Sequence, residues 1–174
     1  CNNPRWRVEL VRRRKDTGFF TVYTIGHSDL QFAEFAARLA ERGVNLVVDA
    51  RSYPYSSYAE WFNRDRIEHA LRKHGIEYLY MGSRLGALTE DGRFDYIQRE
   101  KDPEYKEGVK EMLGLAERYR IAVMSSEGDY MSSHRHHLIA QTLLRLRVGV
   151  VHITEGGDDA PAQADLFHAV AEGD

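Results

Sequence analysis

The sequence predicts an α/β fold: a single domain with a mainly parallel five-stranded sheet and helices on both faces. Short runs rich in β-branched and aromatic residues alternate along the chain with segments of helical periodicity, which is the pattern of a parallel sheet. The chain has 174 residues, enough to bury one hydrophobic core. Hydrophobic residues make up 43% and charged residues 29%, so the composition is that of a globular domain and excludes a fibrous or low-complexity protein.

The five strands are predicted from short apolar runs that end at glycine or polar residues. They cover residues 20–25, 44–48, 76–81, 121–124 and 148–153. The fourth run is wholly apolar, which is typical of a strand covered on both faces.

Each predicted helix has one apolar face and a recognisable start or stop signal. Ser28 and Gln31 resemble a capping box before the first helix, and Pro103 stands where the third helix should begin. A last short helix is expected near 161–171. The other expected signals are Asn63, Asp102 and Ser132 or Ser133 at helix starts, and Gly43 and Gly75 at helix ends.

The two ends of the chain carry opposite charge. Residues 1–19 are expected to form a basic arm or extension, and residues 20–174 the single domain. Six basic side chains fall within residues 1–15, and six acidic side chains with no basic one fall within residues 155–174. Solvated ends are the favoured interpretation, and a phosphate-binding arm is the alternative.

Charge and cysteine content exclude several classes of function. The formal net charge of −3 does not indicate a basic nucleic-acid module. No apolar run is long enough for a membrane span, and no signal peptide is recognised, so we expect a cytoplasmic protein without a membrane partner. Because Cys1 is the single cysteine, an internal disulfide and a cysteine-rich zinc site are excluded.

Polar side chains follow every predicted strand at its carboxyl end. In a parallel sheet these ends lie along one edge, where ligands bind in folds of this type. We therefore expect one site there. Its candidate residues are His27, Ser28, Asp49, Arg51, Gly86, Glu127, Ser133, His134, Arg135 and His152.

Four of these residues are candidates for catalysis. Asp49 and Glu127 are possible general acids or bases, and His27 or His134 could move a proton near neutral pH. Structural roles are the alternative. Asp49 and Arg51 would also suit an ion pair that ties a loop to the sheet.

The remaining candidates are assigned to ligand binding. Arg51 and Arg135 would hold a phosphate or carboxylate, Arg135 with help from free amides at a helix N-terminus. A salt bridge from Arg135 to Glu127 is the alternative for that side chain. The other members of the binding set are Ser28, Gly86, Ser133 and His152.

No cofactor is assigned from the sequence. His134 and His137 lie three residues apart on one helical face and could share a metal, but no ligand motif accompanies them, so metal binding is not favoured. Nucleotide-binding motifs such as G-x-G-x-x-G and the P-loop are absent. The aromatic stretch of residues 53–62 could stack on a base, although a packed loop is the favoured interpretation.

Seven short motifs in order resemble those of the domain-of-unknown-function family numbered 488. The resemblance runs from about Tyr23 to Ile153. The motifs stand here as Thr24-Ile25-Gly26-His27-Ser28, Asp49-Ala50-Arg51-Ser52-Tyr53-Pro54, Gly75-Ile76-Glu77-Tyr78, Leu85-Gly86, Ser125-Ser126-Glu127, Ser133-His134-Arg135 and His152-Ile153.

This resemblance implies an α/β fold with the motifs at one site, and no settled activity. Ser125 and Ser133 stand at positions where the family has cysteine. Because a thiol binds metals and acts as a nucleophile while an unactivated serine does neither, a mechanism built on those thiols is not expected for this chain.

Three functions are compatible with these observations. The first is a hydrolytic or group-transfer enzyme that binds an anionic or nucleotide-like small molecule at the carboxyl ends of the strands. The second is a nucleic-acid-binding or nucleic-acid-processing protein, indicated by the basic arm and the aromatic loop. The third is a non-catalytic interaction domain, which the two serines favour.

Overall fold

A computed structural model describes residues 21–165. The basic arm predicted for residues 1–19 and most of the helix predicted near 161–171 lie outside the described residues. Within them, no helix combines the length and the apolar character that crossing a membrane requires.

The centre of the fold is a six-stranded sheet with the order β3-β2-β4-β1-β5-β6. The strands are β1 (Thr21–Gly26), β2 (Leu46–Asp49), β3 (Glu77–Tyr80), β4 (Ile121–Ser125), β5 (Gly149–Ile153) and β6 (Asp159–Pro161). The first five pair in parallel, and β6 pairs antiparallel with β5. The mainly parallel α/β fold and all five predicted strands are confirmed.

Strand β6 corrects the prediction for the end of the chain. The last helix was expected from residue 161, but Pro161 belongs to a strand that pairs with Val151. A turn reverses the chain after β5, with Gly157 in the left-handed region at φ +92° and its N–H donating to Thr154 O. The reversed segment therefore extends the sheet.

The helices connect the strands. They are α1 (Phe32–Glu41), α2 (Arg64–Arg72), α3 (Gly82–Leu85), α4 (Tyr96–Lys101), α5 (Pro103–Leu115), a π-helical segment (Arg135–Ala140) and α6 (Gln141–Arg145). Single 3₁₀ turns cover Glu60–Phe62 and Tyr130–Ser132. The short helices α3 and α4 were not predicted, whereas the helix predicted after Ser132 or Ser133 is present and begins with the π-helical segment.

Two of the predicted helix caps have different roles. Ser28 is wrong as a cap: α1 begins at Phe32, and Ser28 has φ +44° because its N–H bonds across to Ser126 O at 2.8 Å. The side chain of Asn63 accepts from Ser56 N instead of capping α2. Asp102 is confirmed, since its carboxylate accepts from Glu104 N at 2.9 Å.

Helices cover both faces of the sheet, as predicted. Phe35 and Leu39 of α1 pack with Leu71 of α2 in one apolar cluster. Val109 of α5 and Ile139 of the π-helical segment belong to the other cluster, on the opposite face. Burial of these side chains is the main stabilising contribution to the sandwich of sheet and helices.

The connections place a crevice between β2 and β4. The chain leaves β2 through α2 on one face of the sheet and leaves β4 through the π-helical segment and α6 on the other. β2 and β4 are neighbours in the sheet. Because the chain leaves them toward opposite faces, the loops at their carboxyl ends diverge. In open α/β sheets such a divergence is where ligands bind.

Candidate functional site

A cavity of about 290 Å³ opens at this crevice. Its lining comes from the loops after β2 and β4, the segment before α4 and the start of the π-helical segment. The lining residues are Arg51, Ser52, Tyr53, Ala87, Phe94, Tyr96, Ser126, Glu127 and His134. Three of the predicted site residues, Arg51, Glu127 and His134, thus meet at one cavity.

Arg51 is held in the cavity wall by a buried carboxylate. Its Nε and Nη2 donate to Asp49 Oδ1 and Oδ2 at 2.9 and 2.8 Å, and Nη2 also donates to Phe62 O at 2.7 Å. The hydroxyl of Tyr78 donates to Asp49 Oδ2 at 2.6 Å. This bidentate pairing fixes the guanidinium plane and leaves Nη1 as the end not bonded to Asp49.

The electrostatics of this cluster keep its protonation states fixed. Burial alone would lower the pKa of Arg51, but the hydrogen bonds and charge of Asp49 outweigh it and the pKa is raised. Burial and the charge of Asp49 raise the pKa of Tyr78 far above its usual range, so the phenol remains a donor. Asp49 is fully buried and accepts bonds from both neighbours, so its observed role is to position Arg51.

His27 lies beside Arg51 and is buried. Its Nδ1 bonds to Ser28 O at 2.9 Å, and Arg51 Nη1 is 3.3 Å from its Nε2. The ring stacks on Phe62 with 4.8 Å between centroids. Burial lowers the pKa of His27. A neutral ring with the proton on Nδ1 accepts from Arg51, and His27 therefore supports that guanidinium without lining the cavity.

His134 and Glu127 are the acid–base groups that face the cavity. His134 Nε2 bonds to Ala50 O at 2.9 Å, which places the ring proton on Nε2. Burial lowers the pKa of His134, so the neutral ring carries its lone pair on Nδ1. Glu127 is exposed, and its Oε2 accepts from Ser133 Oγ at 3.1 Å. The pair combines a basic nitrogen with a carboxylate at one opening.

The structure places Arg135 away from the cavity lining. Its guanidinium is fully buried and donates to Thr24 Oγ1 at 2.8 Å and to Gly128 O at 2.7 Å. Contact with Glu127 is to the main-chain oxygen, at 3.3 Å. Burial lowers the pKa of Arg135 to about 10, so it is still charged at neutral pH. The side chain ties the loop after β4 to the neighbouring strands.

The other predicted binding residues have structural surroundings. Ser28 bonds to the β4 loop through its main chain, and the carbonyl of Gly86 accepts from Arg99 Nε at 2.9 Å. Ser133 Oγ accepts from Arg135 N at 3.2 Å and so caps the π-helical segment. His152 is fully buried, and its ring stacks on Tyr130 at 4.4 Å.

The two serines at family cysteine positions differ in their surroundings. Ser133 takes part in the hydrogen bonds described above. The hydroxyl of Ser125 is buried and has no hydrogen-bond partner among the described residues. A small apolar or thiol side chain would suit the site of Ser125 better than a hydroxyl.

Sequence reasoning missed part of the site. Tyr78 was placed in a strand and in a family motif but not among the site residues, although the pairing of Asp49 with Tyr80 in neighbouring strands brings this region together. Phe94 and Tyr96 lie in a segment without a periodic pattern, so no signal indicated them. Side chains alternate between the two faces of a strand, so Tyr78 of β3 and Asp49 at the end of β2 fall on the same face of the sheet. This alternation could have indicated their contact.

The aromatic stretch after β2 is mostly exposed. Tyr53, Tyr55, Tyr58 and Trp61 each expose more than three-fifths of their surface, while Phe62 is buried. The packed-loop interpretation is therefore wrong for the first four and right for Phe62.

His134 and His137, which the sequence left as a possible but not favoured metal pair, have different partners. His134 bonds to Ala50 O, while His137 Nδ1 lies 3.1 Å from Asp165 Oδ2. The cluster of potential metal ligands among the described residues is instead His136, His137 and Asp165.

A family model described as "Domain of unknown function DUF488" matches residues 31–142, which is more than half of the chain. This match confirms the resemblance that the motifs indicated. Searches of curated proteins and of solved structures return no match.

Proposed function

This chain belongs to the DUF488 family, and we propose that it is an enzyme of hydrolytic or group-transfer type that acts on a small molecule bearing an anionic group. The observation that carries the proposal is the cavity itself. Arg51, His134 and Glu127 line one opening at the crevice between β2 and β4. A fixed cation, a neutral imidazole and a carboxylate are the groups that such a reaction needs.

Arg51 would bind the anionic group. Its position is set by Asp49, Phe62 O and His27, so little side-chain entropy is lost when a ligand binds. A phosphate or carboxylate oxygen would bond to Nη1 and compete with the 3.3 Å contact to His27. Charge-assisted bonds of this kind are shorter and stronger than bonds between neutral groups.

His134 would act as the general base. As a water or alcohol oxygen attacks the substrate, its proton passes to Nδ1 of His134, and the same proton then passes to the leaving group. Glu127 would hydrogen-bond the nucleophile and orient it. The lowered pKa of His134 keeps the base unprotonated at neutral pH. Asp49 and His27, predicted as catalytic from the sequence, are positioning residues for Arg51 in this proposal.

Ligand binding is tested by thermal unfolding in the presence of phosphate, nucleotides, sugar phosphates and small carboxylates. We expect at least one class to raise the midpoint of the wild type by several degrees, through preferential binding to the folded state. Arg51→Lys keeps a charge beside Asp49 but has no second donor group equivalent to Nη1 to reach the ligand, so the shift should disappear. Arg93→Lys, at an exposed arginine, is the matched control. An equal shift in Arg51→Lys would contradict the proposed binding role.

Catalysis is tested on any ligand class found in that screen. His134→Gln retains a donor toward Ala50 O and removes the base, so turnover should fall by about 100-fold or more while the thermal shift persists. Glu127→Gln should lower turnover with little effect on stability, because Glu127 is exposed. Unchanged turnover in both variants would contradict the mechanism and favour the non-catalytic interaction domain.

A nucleic-acid substrate is the second candidate, favoured by the exposed aromatic side chains Tyr53, Tyr55, Tyr58 and Trp61 in the loop that also contributes to the cavity. Bases would stack on these rings while Arg51 contacts a phosphate. This candidate predicts binding of single-stranded oligonucleotides that weakens steeply with salt. Loss of that binding in Tyr53→Ala would support it, and affinity unaffected by salt would contradict it.

A further inference from the structure

A second cluster of titratable side chains lies apart from the cavity lining, between the π-helical segment and the chain that follows β6. His136 Nε2 is 2.9 Å from Asp165 Oδ1, and His137 Nδ1 is 3.1 Å from Asp165 Oδ2. The three potential ligand atoms lie within 4.8 Å of one another. We propose that His136, His137 and Asp165 bind one divalent transition-metal ion of the zinc class.

The spacing of these atoms is close to that of a coordination shell. Two ligand atoms bound at about 2.1 Å in a tetrahedral arrangement are about 3.4 Å apart, and both nitrogen–oxygen distances are within about half an ångström of that spacing. They are 2.9 Å from His136 Nε2 to Asp165 Oδ1 and 3.1 Å from His137 Nδ1 to Asp165 Oδ2. Two imidazoles and one carboxylate form a ligand set that zinc and similar ions prefer.

The opposite nitrogen of each ring already has a partner, as in known metal sites. His137 Nε2 is 2.5 Å from Met131 O, and His136 Nδ1 is 3.0 Å from His152 Nε2. Histidines that bind metals usually donate their other N–H to such an acceptor, which fixes the ring and its tautomer. The nitrogens that face Asp165 are then the ones available to coordinate.

His137 in particular needs a cation on the side of Asp165. Both of its nitrogens face oxygen atoms that only accept, the carbonyl of Met131 and the carboxylate of Asp165. A neutral ring would turn a lone pair toward one of these oxygens. Either a proton or a metal ion on Nδ1 removes this conflict, and the experiment below distinguishes the two.

His152 makes the arrangement at His136 compatible with metal binding. The ring of His152 presents Nε2 to His136 Nδ1 at 3.0 Å, and an imidazole nitrogen can accept a hydrogen bond there. Its Nδ1 lies 2.5 Å from Thr24 Oγ1, which can share the remaining proton. His136 can therefore donate through Nδ1 and keep a lone pair on Nε2.

The cluster also leaves room for further ligands. The side chain of His136 is 4% exposed, whereas those of His137 and Asp165 are 31% and 22% exposed. One side of the cluster thus faces water, which can complete the coordination shell. The two consecutive rings lie in the π-helical segment Arg135–Ala140, and their planes meet at 79°.

The test is calorimetric titration of the full chain with Zn²⁺, after removal of any purification tag, with Co²⁺ absorption as a second measurement. We expect one ion per chain. Asp165→Asn and His137→Gln should each weaken binding by at least about 100-fold, and both retain polar side chains at half-buried positions, so folding should persist. His69→Gln, at an exposed histidine of α2, is the matched control and should bind as the wild type does.

Unfolding of each metal-free variant in urea checks that the fold is intact. The proposal is overturned if the wild type takes up no stoichiometric Zn²⁺ or Co²⁺ at about 100 µM, in which case the cation on His137 is a proton. It is also overturned if both site variants bind the metal as tightly as His69→Gln does.

Discussion

Arg51 and Arg135 occupy similar places in the sequence, since each follows a buried strand and has a carboxylate shortly before it, Asp49 or Glu127, yet their surroundings differ. Arg51 is paired with the buried carboxylate of Asp49 and lines the cavity. Arg135 is fully buried and bonds to Thr24 and to main-chain carbonyls. The sequence assigned the same anion-binding role to both.

The difference shows that the partner of a buried arginine determines what the side chain can do. A carboxylate neutralises Arg51 and holds it from one side, which leaves Nη1 for a ligand. Arg135 instead donates to the Thr24 hydroxyl and to main-chain carbonyls such as Glu127 O, and so joins β1 to the loop after β4. We therefore expect Arg51 to affect binding and stability, and Arg135 to affect stability.

Arg51→Met should have the largest effect on stability. It leaves the buried charge of Asp49 without its cation, which costs about 3–5 kcal/mol in the free energy of unfolding. Urea unfolding at neutral pH measures this loss. The double variant Asp49→Asn with Arg51→Met should be more stable than Arg51→Met alone, because the buried charge is gone. Equal stability of the single and double variants would contradict the ion-pair explanation.

Arg135→Met should cost about 3 kcal/mol, because buried oxygens such as Gly128 O lose a charged donor. Anion binding, measured as the shift relative to the variant's own unfolding midpoint, should be kept. Loss of that shift in Arg135→Met, together with its retention in Arg51→Lys, would reverse the roles assigned to the two arginines.

The region of Arg135 should also dominate acid sensitivity. Burial and the charges of Arg135 and His136 lower the pKa of His152 from 6.5 to about 3. Between these values the unfolded chain binds a proton at this side chain and the folded chain does not, so stability falls as the pH decreases below 6.5. His152 alone should contribute a loss of about 2 kcal/mol by about pH 5.

Urea unfolding at a series of pH values measures this dependence. His152→Gln should reduce the slope of stability against pH by about one proton. Arg135→Met should reduce it too, because one of the charges that lowers the pKa of His152 is removed. An unchanged slope in His152→Gln would show that the acid sensitivity arises elsewhere.

The smallest effects are expected at Ser125 and Ser133. The hydroxyl of Ser125 has no hydrogen-bond partner among the described residues, whereas that of Ser133 is hydrogen-bonded. Ser125→Ala removes a buried hydroxyl without a partner and should raise stability by about 1 kcal/mol. Ser133→Ala removes the cap on Arg135 N and should lower stability by about 1 kcal/mol. Thermal and urea unfolding of both variants give the sign, and destabilisation by Ser125→Ala would contradict the assignment.

The sequence predicted the sheet well because its signals are local. The apolar run of β4 and the stop at Gly43, which has φ +68°, are set by neighbouring residues. Ser28 shows where local signals fail: its main chain bonds to Ser126 from a distant part of the chain, and α1 begins later. Long-range bonds of this kind leave no pattern in a single sequence.

The site was predicted less completely than the fold. Parallel strands bring the loop of Arg51 and the loop of Glu127 to one edge, and that convergence was expected. Which side chains turn toward the cavity depends on partners such as Tyr78 and Ala50 O, which no motif reveals. The spacing of His134 and His137 also assumed an ordinary α-helix, whereas that turn is π-helical.

The antiparallel strand β6 also affects how this protein meets other copies of itself. A sheet edge with unpaired N–H and C=O groups can pair with a strand of another molecule. β6 covers the edge of β5 with three residues, and Pro161 has no N–H to offer outward. Asp159 adds a charge there, held by Arg42 at 2.6 Å. This short, charged, proline-containing edge disfavours strand addition and so protects the chain from aggregation through that side of the sheet.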